Sequence, residues 1–422
     1  MVEKAKIVYE NYIKRFFIHP FSKTVDLPDA GIFVVIPSYA EEDLELTLKS
    51  LAECGPNGIV CILVVLNDKI NDPEEFKEIN RQAVSLISDF NLQYPQLIWK
   101  SISAVNLDDK NAGVGLTRKI GLDAVILHLA HTGKNPALVC LDADSIVAPD
   151  YLQRIYAEFH QSTADVAILE FEHKTELTNI DLINGILQYE LFLEYYRLGL
   201  CFAGYPHFYH TVGSSMACKA LPYAQSGGMN QRLAGEDFYF LHKLFPHFET
   251  VQLKGPLVFP SPRISTRVPF GTGRFQQKWI EKNEDKLLTY QPAVFKLLKL
   301  FLRACTSFIE VNELEFNANF TDFREKHPTT EIVLKEFEVQ KNLESVRNSS
   351  PKILQRQKAL YRWFDGLKVL RFIHAFSEDF PFVATEQSLS VLLPEIEFSD
   401  DIRSVVQQIR RHLYEIPVQT NA

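Results

Sequence analysis

Residues Ala137 to Asp150 read ALVCLDADSIVAPD. The run from Ala137 to Leu141 is apolar and fit for the middle of a buried strand. It ends in two carboxylates, Asp142 and Asp144, one residue apart, with no basic residue beside them in sequence. On a strand, residues i and i+2 project to the same side, so Asp142 and Asp144 can share one ligand. Two carboxylates suit a hard divalent cation, Mg2+ or Mn2+, which takes oxygen ligands and keeps places for substrate phosphates. The competing reading is a solvated turn, with Asp150 capping a helix that begins at Tyr151.

Upstream, the same alternation repeats. Gly31–Pro37 (GIFVVIP) is a short β-branched run bounded by turn residues, hence a buried strand. Glu41–Glu53 has helical periodicity through Leu44, Leu48 and Leu51. A strand at Ile59–Leu66, a helix near Pro73–Phe90 and a strand near Leu97–Ile102 follow, and Asn111-Ala112-Gly113 opens another helix. Strands alternating with helices predict an α/β domain with a mixed, mainly parallel sheet. In such sheets ligands bind outside the carboxyl ends of the strands. Pro37-Ser38-Tyr39, Asn67-Asp68 and Asp142-Ala143-Asp144 each fall at such an end.

The bulk properties narrow the classes. The 422 residues are enough for a substantial core and more than one domain. A net charge of −9 disfavours a general nucleic-acid binder, which needs a basic face. The six cysteines are scattered without a C-x-x-C pair and read as reduced core thiols. The N-terminus lacks a signal-peptide stretch, and no window approaches eighteen apolar residues, so the expectation is a cytoplasmic protein without a membrane span. Asp181 to Tyr209 is aromatic and helical, and after about residue 285 the chain turns mostly helical with charged linkers.

Five segments in order resemble the family 2 glycosyltransferases. FVVIPSYAEEDLELTLKSL is similar to that family's strand ending in P-x-Y-N-E-E, and VVLNDKIND to its V-V-D-D-G-S-T-D. NAGVGLTRKIGLDAVI follows its N-x-G-x-x-x-A-R-N-x-G helix. LDADSIVAPDYL resembles its D-x-D strand and helix, and GSSMACKALPYAQSGGMNQRLAGEDFYFLHKL its acceptor segment, with G-G before G-E-D. The resemblance spans about residues 31–245.

It implies a GT-A-type, Rossmann-like fold and sugar transfer from a nucleoside-diphosphate sugar to an acceptor hydroxyl. Residues 1–30 would form an N-terminal helix and linker, and 31–284 the transferase domain. Within that domain, 31–145 would be the nucleotide-binding half and 146–284 the acceptor half, with 285–422 a helical extension. Pro37, Ser38 and Tyr39 would line the nucleotide site, with Tyr39 against base or ribose and Glu41 nearby. Asn67 or Asp68 would hydrogen-bond the base, and Arg118 would support the nucleotide end. Asp144 would be the direct metal ligand, while Asp142 would reach the sugar, the ribose or a metal-bound water, or share the metal. Asp237 would be the base that deprotonates the acceptor, with Glu236 as neighbour, giving inversion. Glu236 and Asp237 also suit the first turn of a helix and its dipole.

Further contacts are possible at His207, His210 and His242, each also readable as structural. Arg263, Arg267 and Arg274 lie in FPSPRISTRVPFGTGRFQQKW, either a loop that closes over a pyrophosphate or a solvated basic loop. The chain also departs from the family: Ala40 stands where Asn is usual, and Leu66-Asn67-Asp68 replaces an acidic pair. That leaves the base open among uracil, guanine and thymine. Phe275-Gln276-Gln277-Lys278-Trp279 lacks the Arg of the processive Q-x-x-R-W, so single additions are expected. The acceptor would be a glycan, a lipid-linked glycan or a small molecule, and the helical extension would serve acceptor binding, dimerisation or membrane-surface docking. Two other classes compete. A nucleotidyltransferase would need a Gly-rich, basic phosphate loop where this chain has PSYAEEDL. A non-catalytic nucleotide-sugar-binding protein would have no need of Asp142, Asp144, Glu236 and Asp237 together.

Overall fold

The structure, a computed structural model, describes residues 2–109, 112–175, 179–232, 235–264, 271–282, 287–311 and 313–416. The elements run α1 (Val2–Arg15), β1 (Ile32–Ser38), α2 (Leu44–Ala52), β2 (Val60–Lys69), α3 (Glu74–Gln93), β3 (Ile98–Leu107) and α4 (Val114–Thr132). They continue as β4 (Ala137–Cys140), β5 (Ile146–Val147), α5 (Tyr151–Gln161), β6 (Val166–Phe171), α6 (Ile180–Ala203), β7 (Met216–Lys219), α7 (Ala220–Gln225), α8 (Glu236–Leu244) and β8 (Thr250–Phe259). The remainder is mostly helical, with α9 (Thr272–Lys282), β9 (Leu288–Thr289), α10 (Pro292–Ile309), α11 (Glu313–Lys326), α12 (Thr329–Glu336) and α13 (Val339–Asn348). Then come α14 (Ile353–Trp363), α15 (Gly366–Ala375), β10 (Val383–Ala384), α16 (Thr385–Leu392) and α17 (Ile402–Glu415).

Two compact units emerge, one of Met1–Thr178 with Thr211–Arg274, the other of Asn179–His210 with Phe275–Asn421. These limits differ from the segments expected at 1–30, 31–284 and 285–422. The N-terminal helix is part of the first unit because α1 is tied to α4 and α7. The Tyr12 hydroxyl donates to Asp123 Oδ1 at 2.7 Å, and Tyr223 donates to the same oxygen at 2.9 Å. The Lys119 ammonium closes the cluster on Asp123 Oδ2 at 2.6 Å and on the Tyr12 oxygen at 2.8 Å.

Among the described residues the first unit holds an eight-stranded sheet ordered β3-β2-β1-β4-β7-β6-β8-β5. β3, β2, β1 and β4 run parallel, β7 is antiparallel to both β4 and β6, β6 and β8 are parallel, and β5 is antiparallel to β8. This is the mixed, mainly parallel α/β sheet that the strand–helix alternation predicts. β1 and β4 are buried along their whole length, as strands covered on both faces must be. α4 lies close over β1 and β2 because Gly121 has no side chain; a Cβ there would meet Val35 Cγ1 at 2.5 Å and Val65 Cγ2 at 2.8 Å.

Register places the three polar clusters at one edge. Ser38 pairs with Leu66, so Asn67 and Asp68 stand one step beyond the end of β1. Val35 pairs with Cys140, where β4 ends. Asp142 and Asp144 therefore lie past the strand, in a turn, and not on it. The regular i, i+2 alternation of a strand does not apply to them. Asp150 precedes α5, but its side chain makes no capping hydrogen bond.

In the second unit α6 packs with α10, α16 and α17 around an apolar cluster including Tyr195, Phe295, Phe301, Phe372 and Ile409. A helix apolar on nearly every side needs partners all round, which is why residues 179–210 join the C-terminal helices. One charged network lies inside. Glu194 and Arg197 of α6, His210, and Arg410 of α17 are all buried. Glu194 Oε2 accepts from Arg197 at 2.7 Å, and Oε1 accepts from Arg410 at 2.6 Å with His210 Nε2 at 3.0 Å. No described helix is long and apolar enough to cross a membrane.

This network sets a pH dependence. Burial, opposed by Glu194, pushes the His210 imidazole down to about 4 from its ordinary 6.5. Burial acts to raise Glu194, but Arg197, His210 and Arg410 outweigh it and hold the carboxyl well below its ordinary 4.5. Both folded pKa values lie below the unfolded ones, so each group's stability is present above its unfolded value and lost as pH falls. The thermal midpoint of this unit is expected to drop as pH goes from 6.5 toward 4, and His210→Gln should flatten that slope. A midpoint equally pH-dependent in the variant would remove His210 from the effect.

Candidate active site

The residues at the carboxyl edge of the parallel strands are joined by two arginines. Arg118 sits in the second turn of α4 and is 3% exposed. One guanidinium nitrogen pairs with Asp142 and the other with Glu236, the first residue of α8. Burial works against the Arg118 charge, yet Asp142 and Glu236 together hold its pKa above the usual value. Two carboxylates 94 positions apart in sequence (236 − 142) thus meet on one cation. Arg118, expected to support the nucleotide end, here bridges the D-x-D and G-E-D segments. Gly213 makes the bridge possible, since a Cβ there would fall on the guanidinium.

Asp237, next to Glu236, is less enclosed. Its Oδ1 accepts from the Phe238 N–H at 2.7 Å, as expected of an acid in a first helical turn. Burial raises its pKa, with Asp142 adding and Arg118 opposing. Glu236 is raised too, by burial first and by Asp237 and Asp142 after that, against the pull of Arg118.

The second arginine is Arg263. Its guanidinium binds both oxygens of buried Glu41, and lies 3.3 Å from Asp43 and 3.2 Å from Asp144 Oδ2. Glu41 and Asp144, 103 positions apart (144 − 41), are so brought to one cation. Burial, with Asp142 and Glu41 close by, pushes the Asp144 carboxyl up to about 7 against the pull of Arg263. Arg267 lies outside the described residues. Arg274 opens α9.

Asp142 and Asp144 fit a hard divalent cation by donor type, and their mutual repulsion is of the kind that a cation relieves. Among the described residues no group of three or more His, Cys, Asp or Glu side chains is placed to hold a metal. Asp142 and Asp144 could supply two oxygen ligands to such an ion, with water and phosphate oxygens in the other places, as Mg2+ commonly requires.

The remaining expected residues divide. Pro37 and Ser38 end β1 and are buried. The Ser38 Oγ, on a residue 1% exposed, finds no hydrogen-bond partner among the described residues. The Tyr39 hydroxyl donates to Asp72 at 2.6 Å, its ring meets Phe76 edge-on, and the Lys69 ammonium stands 5.3 Å above it. Asp68 Oδ1 accepts from the Asn106 N–H at 2.6 Å. Asp68 also lines a cavity of about 290 Å3 with Asn80, Ser103, Asn106, Lys77 and Arg81. The backbone carbonyl of Asn67 accepts from Asn80, a residue that sequence reading passed over as one more polar position on a helix. His242 is half-buried: it packs against Phe238 and Phe245, and desolvation pushes its pKa down to about 3. His207 and His210 belong to the second unit.

No protein-family model and no curated protein matches this chain. Among solved structures, Staphylococcus aureus TarS 1–349 in complex with UDP-GlcNAc aligns at 13% identity and a TM-score of 0.41, over 79% of this chain and 89% of that one. The mannosyltransferase PcManGT from Pyrobaculum calidifontis, in complex with GDP-Man and Mn2+, aligns at 12% identity and a TM-score of 0.36, over 98% and 93%. TM-scores of this size leave fold and function to be argued from the chain's own residues.

Removing Arg118 tests the bridge. Arg118→Ala leaves Glu236 as a buried, uncompensated carboxylate, an expected loss of about 3–5 kcal/mol in urea unfolding. Arg118→Lys should recover little, since a single ammonium lacks the fork that serves two acceptors at once. A loss under about 1 kcal/mol, the size of an exposed pair, would show that the bridge contributes little to the fold.

Proposed function

We propose that this chain is a metal-dependent, inverting glycosyltransferase that moves a sugar from a nucleoside-diphosphate donor to an acceptor hydroxyl. The observation that carries this reading is the Arg118 bridge. It sets the paired aspartates, where a donor's diphosphate would lie, beside the acid pair at the head of α8, where an acceptor would lose its proton. Such a transfer needs those two functions side by side. It supports the family 2 resemblance of the five ordered segments with a contact between two of them.

Asp142 and Asp144 are the residues that would hold Mn2+ or Mg2+, which as a Lewis acid offsets the charge gathering on the departing diphosphate. Asp237 is the base. Glu236 is committed to Arg118, whereas Asp237 has one oxygen on a backbone N–H and a pKa raised by burial, which makes it a better proton acceptor once ionised. The acceptor oxygen attacks the anomeric carbon, its proton passes to Asp237, and the bond to the diphosphate breaks on the opposite side, which inverts the centre. Arg263, held on Glu41, adds positive charge beside Asp144 where a phosphate would lie. Asp68, an acceptor at the edge of the 290 Å3 cavity, suits a ring N–H of the base, as in uracil, thymine or guanine. The six cysteines are free thiols, in keeping with a reducing compartment such as the cytoplasm.

A panel of UDP-, GDP- and TDP-sugars, assayed for binding, hydrolysis and transfer with and without Mn2+, decides the class. If none binds or turns over, the enzyme reading is wrong. Asp237→Asn should keep donor affinity while lowering transfer by about a hundred- to ten-thousandfold; unchanged transfer would remove Asp237 from the chemistry. Asp144→Asn should abolish the stimulation by Mn2+, and a variant stimulated as strongly as wild type would rule Asp144 out as a ligand.

A further inference from the structure

Two non-glycine residues at the carboxyl edge of the sheet have left-handed backbones: Ala40, at φ 45°, and Asn106, at φ 55°. Asn tolerates this region, but Ala does so rarely, so Ala40 stays there only if its surroundings hold it. Its N–H donates to Asn80 Oδ1 at 3.2 Å. The same carboxamide donates through Nδ2 to the Asn67 carbonyl at 2.9 Å. Asn80 lies on α3 and is 5% exposed. One buried side chain therefore ties the segment after β1 to the end of β2, where the ladder with β3 shifts register. The side-chain amide serves both ends, accepting through its oxygen and donating through its nitrogen.

The residues flanking Ala40 are Tyr39 and Glu41. Tyr39 reaches Asp72, and Glu41 carries Arg263, which stands against Asp144. The direction of both side chains depends on the backbone turn at Ala40.

Resting on the glycosyltransferase reading, we propose that Asn80 is a positioning residue of the donor site. Its carboxamide holds Ala40 left-handed and pins Asn67, and thereby sets where Tyr39, Glu41 and the Glu41-bound Arg263 meet a nucleoside diphosphate. It does not touch the reacting atoms. Without the clamp Ala40 relaxes toward right-handed or extended backbone, and the two flanking side chains turn away from their places.

Calorimetric titration of UDP, GDP and TDP in the presence of Mn2+, together with steady-state kinetics on whichever donor sugar turns over, tests this. Asn80→Ala should weaken nucleotide binding and raise the donor KM about tenfold or more, a change of ~1.4 kcal/mol, with kcat altered by less than about threefold, as expected for lost binding common to ground and transition states. Adding Ala40→Gly should restore most of the affinity, because glycine adopts positive φ without strain. A purely structural Asn80 would give a loss that Ala40→Gly leaves untouched. Asn80→Ser, milder on the fold, should shift binding in the same direction. Wild-type affinity in folded Asn80→Ala or Asn80→Ser overturns the positioning role, as does a defect that Ala40→Gly fails to repair. If wild-type protein binds none of UDP, GDP and TDP, the functional reading itself falls, and the two failures are told apart by the wild-type titrations alone.

Discussion

A buried guanidinium between two carboxylates is the constraint on which the site depends. Arg118 is the only link, among the described hydrogen bonds, from the turn after β4 to the head of α8. Its cost is real: an arginine nearly without water exposure survives only because two opposite charges and a tight cradle surround it. The arrangement also divides the two acids at the head of α8. The one bound to arginine becomes part of the scaffold, while its neighbour accepts from the Phe238 N–H and is less enclosed. Adjacent acids can thus have different roles without a difference in residue type.

α4 serves both sides of the first unit. Arg118 faces the carboxylates, while Lys119 and Asp123, one turn apart on another face, bind the tyrosines of α1 and α7. The helix is buried over most of its length, so it cannot rotate to relax one set of contacts without breaking the other. Close approach at Gly121 presses the same helix onto β1 and β2. The N-terminal helix, expected as a helix and linker ahead of the transferase domain, is therefore tied to the same helix that carries Arg118.

Much of the first unit was legible because its signals are local. GIFVVIP and ALVC are apolar runs bounded by turn residues, and both are buried strands of the sheet. The convergence of Ser38, Asn67-Asp68 and Asp142-Asp144 followed from parallel topology alone. What stayed hidden was pairing over distance. No local pattern tells that Arg118 spans to Glu236, or that Arg263 returns to Glu41, because each charge is compatible with solvent until the fold brings its partner. The spacing of the two aspartates fits a strand, but the paired ladder to β1 ends at Cys140 and the turn that follows contains them. Asn80 offered no signal at all, since a polar residue on an amphipathic helix is ordinarily solvated. The apolar character of α6 announced burial but not which helices would cover it.

That last point bears on how the chain is made. Both compact units are assembled from separated stretches, and each interrupts the other. During synthesis α6 emerges long before the helices that cover it, since α17 begins about 200 residues after α6 ends. At ordinary elongation rates that is a wait of about 10–40 seconds. The sheet is likewise incomplete until β7 arrives to join β4 to β6. A nascent chain ending before residue 216 would carry an apolar helix without its C-terminal partners, and β4 and β6 with no strand between them.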